Sequence, residues 1–132
     1  MALLGIEEGI QAFLFPNALN NGTTNLKLHL YTNNLTPAAA DVLASYTECA
    51  DASYAAVALT AASWVLSSIS GPKAQAAYPT VTFTFTSSAV LYGYYITDSA
   101  TTKVIIAEKF SGAPITFGPT LPLALTLKVT LS

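Results

Sequence analysis

The sequence predicts an all-β protein, and three observations carry that prediction. From Asn25 onward, apolar and polar residues alternate with a period of two, as in "LKLHLYT" (26–32) and "TVTFTFT" (80–86). That is the pattern of a strand with one buried face. Clusters of Gly, Pro, Asn and Ser recur between such runs, spaced as turns between short antiparallel strands. Threonine fills many of the polar positions, and its branched Cβ suits a pleated surface. Seven or so short strands of this kind argue for an antiparallel β-sandwich, jelly-roll or immunoglobulin-like.

The elements follow in order. Residues 2–15 read as a short amphipathic helix, with Leu3, Ile6, Ile10, Phe13 and Leu14 in one stripe and Glu7, Glu8 and Gln11 opposite. Pro16 and "NALNNG" end it, because proline has no N–H to continue the ladder and Asn-Gly favours turns. So short a helix is marginal alone, so its stripe is expected to dock. Residues 1–20 are assigned to this helical arm, and 21–132 to a single sandwich domain.

"LKLHLYT" is the first strand, with Leu26, Leu28 and Leu30 inward and Lys27, His29 and Tyr31 outward. "NNLTP" turns the chain, and the Ala-rich segment 38–54, with Asp41, Glu48 and Asp51, reads as a long loop holding at most a short strand or helical turn. "AAVALT" and "SWVLSSIS" follow, then a turn at "SGPK". In "TVTFTFT", Val81, Phe83 and Phe85 point inward. "VLYGYYIT" and "KVIIAEKF" flank "DSATT" as a hairpin, and "LALTLKVTLS" is the last strand. "KVIIAEKF" has apolar residues on both faces, so it is expected to be covered on both sides.

Composition narrows the function. A chain of 132 residues suits one domain, and the lone Cys49 forms no internal disulfide. Charged residues make up 9%, none is arginine, and the net charge is −2; about 25% charged is usual. Five scattered lysines cannot supply the phosphate-neutralising footprint of a nucleic-acid binder, nor hold an anionic membrane surface. The N-terminal "MALLGIEEGIQAFLF" lacks a basic leader and carries two acids. It is therefore expected to be neither a signal peptide nor a spanning helix.

Candidate chemistry is sparse. His29 is the only histidine, and no G-x-S-x-G elbow accompanies it. On the polar face of a strand, it reads as a solvent-exposed pairing residue. Glu48 and Asp51 form a sparse acidic pair, whereas calcium takes six to eight oxygens, so they read as solvated loop charge. One His and one Cys do not make a zinc site. The sequons at Asn21 and Asn34 read as turn chemistry, and Tyr92, Tyr94 and Tyr95 as packing residues. No catalytic residue, metal ligand or cofactor site is expected.

The order of these segments resembles a known group. "LKLHLYTNNLTP", "ASYTECADASYAAVAL", "SWVL" and the run "YPTVTFTFTSSAVLYGYYITD" leading into "IIAEKF" are similar to small structural proteins of tailed bacteriophages. The resemblance spans nearly the whole chain after the helix and brings no catalytic residues. It implies a non-enzymatic virion protein, made in the cytoplasm of an infected bacterium. The implied role is capsid decoration (cement), with the major capsid protein and further copies of itself, as a homotrimer, for partners. The alternative is a tail- or fibre-associated module that contacts a host receptor or glycan. The candidate interface comprises Leu3, Ile6, Ile10, Phe13 and Leu14 of the helix, Leu35 and Pro37 of the following arm, and Ile105 of the doubly apolar strand.

Overall fold

The computed structural model describes residues 25–68, 74–101 and 103–131. In chain order their strands are β1 (Leu26–Tyr31), β2 (Val57–Leu59), β3 (Val65–Ser68), β4 (Ala74–Ala77), β5 (Val81–Phe83), β6 (Ala89–Leu91), β7 (Gly93–Thr97), β8 (Val104–Lys109), β9 (Ile115–Phe117), β10 (Leu123–Leu125) and β11 (Lys128–Leu131). Only two short 3₁₀ turns, Leu43–Ser45 and Ala61–Ser63, interrupt them. The described chain is all-β with antiparallel pairing, as the alternation predicts. The predicted N-terminal helix, with Leu3, Ile6, Ile10, Phe13 and Leu14, lies outside the described residues, as does the "SGPK" turn.

The strands form four small sheets, ordered β2-β1-β7-β8, β11-β4-β3, β10-β5 and β6-β9. They divide between two compact units. One holds Lys27–Ala58 and Thr82–Ala124; the other includes Leu59–Val81 and the chain from Leu125. In the second unit, Trp64 is buried and meets Tyr78 edge-on at 5.1 Å, while the backbone N–H of Tyr78 donates to the Leu127 carbonyl.

The four-stranded sheet organises the first unit. Leu28 and Leu30 on β1 and Ile96 on β7 are fully buried on one face. The other face carries His29 and Tyr31 of β1 beside Tyr95 and Thr97 of β7, and it is buried too. The expectation that His29 and Tyr31 point to solvent is therefore wrong. Residues 33–54 fold back over this face, bringing Leu35, Leu43 and Tyr46 against Tyr31 and Tyr95. A strand whose second face is covered later in the chain keeps its period-two pattern, because tyrosine and histidine are polar enough to alternate and apolar enough to bury.

Other boundaries also differ from the sequence reading. "VLYGYYIT" is two strands in two sheets, β6 and β7, divided at Tyr92. "LALTLKVTLS" divides likewise into β10 and β11. The β7–β8 hairpin forms as predicted, its turn closed by Asp98, whose carboxylate accepts from the Lys103 N–H at 2.8 Å. Ile96 faces Ile106 and Thr97 faces Val104, so Ile105 is an extra, bulged residue. Ile105 is 52% exposed and Glu108 is also exposed, so β8 is not covered on both sides by the described residues.

Candidate functional site

The most elaborate polar arrangement in the described residues is the covered face of the four-stranded sheet. His29 and Tyr95 are register partners, and their rings stack at 4.7 Å with an interplanar angle of 8°. Tyr46 stacks on the same tyrosine at 4.9 Å, and Tyr31 meets Tyr46 edge-on at 5.1 Å. The imidazole is only 2% exposed. Its Nδ1 lies 2.7 Å from Glu48 Oε2, and its Nε2 lies 2.9 Å from Thr97 Oγ1. Glu48 Oε2 also accepts from the Tyr54 hydroxyl at 2.7 Å, and Tyr54 in turn accepts from the Leu30 N–H at 3.1 Å.

Carboxylate, imidazole and hydroxyl in this order resemble a nucleophilic triad. The hydroxyl is the wrong one for that work. Thr97 is fully buried, and its oxygen also lies 3.0 Å from the Asp98 carbonyl, to which it donates. A nucleophile must be reached by the atom it attacks, and this one is enclosed. The arrangement satisfies buried polar groups.

Two more carboxylates serve the same segment. Asp41 Oδ2 accepts from the Ala38 N–H at 2.9 Å and from the Tyr46 hydroxyl at 2.8 Å. Asp51 accepts from the backbone N–H groups of Ser53, Thr86 and Ser87 at 2.9–3.0 Å, and from the Thr86 and Ser87 hydroxyls at 3.1 and 2.9 Å. The Ser53 hydroxyl sits between Asp51 Oδ1 and the Thr84 carbonyl. Asp51 thus ties two loops of the same unit together. Glu48 stays exposed to solvent and Asp51 partly so, as loop charges should, yet both carboxylates also accept hydrogen bonds from their own chain.

The electrostatics follow this bonding. The backbone N–H groups of Thr86 and Ser53, with help from Ser87, hold the Asp51 carboxyl well below the usual carboxylate range. Burial, then the hydrogen bond to Glu48, pushes the Tyr54 phenol up. Burial, then the bond to Asp41, does the same to Tyr46. Burial also raises the Cys49 thiol, which disfavours the reactive thiolate.

An open groove of about 420 Å³ runs between Cys49–Asp51 and Ser87–Val90. The Asp51 carboxylate on its wall is already engaged by its own chain. Among the described residues, no group of three or more His, Cys, Asp or Glu is assembled to hold a metal ion. No described helix is long and apolar enough to cross a membrane.

The predicted contact residues are scattered. Leu35 is half-buried against Tyr31, Tyr46 and Tyr95. Pro37 is half-buried, and Ile105 stands exposed on the bulge of β8. Glu48 and Thr97 as partners of His29, and Tyr54 as a partner of Glu48, were not predicted. The "DAS" of 51–53 carried one usable signal, since an aspartate two residues before a serine commonly closes a local turn on its N–H.

No protein-family model, no curated protein and no solved structure matches the chain.

Proposed function

We propose that the protein is a non-enzymatic structural component of a tailed-bacteriophage virion: a capsid decoration protein that binds the outer shell and stabilises neighbouring capsomers. Its partners in this reading are the major capsid protein and two further copies of itself. The strands are read as a sandwich, jelly-roll or immunoglobulin-like, carrying an N-terminal helical arm. The carrying observation is the small share of charge, 9% of the chain, together with where it is used. Asp41, Glu48 and Asp51 accept hydrogen bonds from their own chain, so an already small charge is further withdrawn from partner recognition. Such a surface favours association by apolar burial and strand addition. The outer strand of the four-stranded sheet offers both, as β8 ends the sheet among the described residues and exposes Ile105. The arm stripe of Leu3, Ile6, Ile10, Phe13 and Leu14, with Leu35, Pro37 and Ile105, is the proposed contact set.

The test is the native mass by light scattering, followed by co-sedimentation with assembled, undecorated shells. A trimer that sediments with shells, and that Ile105→Lys weakens, supports the reading. A monomer that leaves the shells bare overturns it. If that monomer binds host cells instead, the role is a tail- or fibre-associated receptor module.

A further inference from the structure

Residues 41–54 lie over one face of the sheet without joining it as a regular strand. Of these fourteen residues only Tyr46 and Cys49 are buried, whereas all five residues of β7 beneath them are. Its apolar hold on the sheet is confined to Tyr46 and Leu43 against Tyr31 and Tyr95, and its other attachments are polar. Two backbone bonds reach it directly, from the Cys49 N–H to the Leu30 carbonyl and from the Thr32 N–H to the Thr47 carbonyl. Asn33 holds both the Thr47 N–H and the Ser45 carbonyl through its amide. The Leu30 N–H donates to the Tyr54 hydroxyl and the Ser53 hydroxyl lies against the Thr84 carbonyl. The other fastenings converge on the carboxylates of Glu48 and Asp51, while Asp41 braces the segment from within through Ala38 and Tyr46.

We propose that residues 41–54 form a strap, closed over the sheet by Glu48 and against the loop at Thr86–Ser87 by Asp51, that opens as one unit when those two carboxylates are neutralised while β1, β7 and β8 stay paired. The physical basis is the direction of the hydrogen bonds. Each carboxylate acts as acceptor to N–H and O–H donors, and a proton added to it removes acceptor capacity where the donors converge. The surroundings supply few compensating charges. Glu48 faces His29 from β1, with Tyr54 and Tyr95 beside it. Asp41 faces Tyr46 and Tyr31, and Asp51 faces Cys49 and the uncharged Thr86 and Ser87. Opening begins only when the carboxylates themselves take up protons.

Local opening below the free energy of global unfolding is read by amide hydrogen exchange. The full chain is compared with the Glu48→Gln/Asp51→Asn double variant at neutral pH, and with itself along an acid series reaching about pH 1, because Asp51 is held well below the usual carboxylate values. Protection at the Thr47, Cys49 and Tyr54 amides is expected to fall together, by about tenfold or more, with the amides of β7 unchanged. Strap and β7 losing protection in step would overturn the proposal, because the segment would then open only by unfolding the sheet. Unchanged protection in the strap would overturn it as well. Should the double variant fail to fold, the acid arm on the native chain decides alone.

Discussion

Gly93 lies directly beneath the ring of Tyr31, its register partner across β1 and β7. A Cβ at this position would stand 2.7 Å from the edge and hydroxyl of that ring, and would overlap the carbonyl oxygen of Glu108 on the opposite strand. The absent side chain lets the phenol cross the strand, where its hydroxyl donates to the Leu35 carbonyl at 3.0 Å. Gly93→Ala should destabilise the protein by about 3 kcal/mol, the upper end of overpacking penalties, because backbone must move and not a flexible side chain. A lower urea midpoint with an unchanged slope would report this. Tyr31→Phe removes one hydrogen bond and should cost only about 1 kcal/mol. It should not rescue Gly93→Ala, since the Glu108 carbonyl stays in place.

Thr97→Val tests the buried imidazole network. The substitution keeps the side-chain shape but removes the partner of His29 Nε2, leaving a buried polar atom unmatched. A loss of about 1–2 kcal/mol is expected, with Thr97→Ser retaining most of the stability. Because Glu48 and Thr97 grip the same ring, Thr97→Val and Glu48→Gln should be non-additive in a double-mutant cycle. Additive effects would mean that the two contacts act independently.

Alkali should unfold the protein through its tyrosines. Tyr31, Tyr94 and Tyr95 are each pushed up to about 12, chiefly by burial and secondarily by Asp41, Glu108 and Glu48 respectively. Tyr46 and Tyr54 are raised as well. The folded state thus prefers the neutral phenol. The stabilisation is fully present below the unfolded tyrosine value of about 10 and is lost as pH rises through about 12. In an absorbance titration, phenolate formation in the folded protein should lag behind that of the urea-unfolded chain. Coincident curves would contradict the burial of these rings.

Alternation made much of this fold legible. "LKLHLYT" locates β1, and the inward Val81, Phe83 and Phe85 against outward threonines match the burial found. Period two, however, describes which way side chains point and not which strand they pair with. The near-continuous apolar and aromatic run "VLYGYYI" carries no mark at Tyr92, where the chain leaves one sheet for another, and so joins β6 to β7. The site was hidden for the same reason. His29 finds Glu48 19 residues away and Thr97 68 residues away, and no local pattern marks such partners. The Ala-rich segment reads as a loop because its carboxylate anchors, Glu48 and Asp51, are scattered, and their role depends on the donors that surround them in space.

The composition supplies a reporter for each compact unit. The chain has one histidine and one tryptophan; His29 belongs to the first unit and Trp64 to the second. The imidazole proton signals, displaced by the ring current of stacked Tyr95, arise from a single residue and need no isotopic assignment. The indole fluorescence, emitted from a buried site beside Tyr78, is equally unambiguous. Followed along one denaturant series, the two signals ask whether the halves of this chain melt in concert or in succession, with the native sequence unaltered.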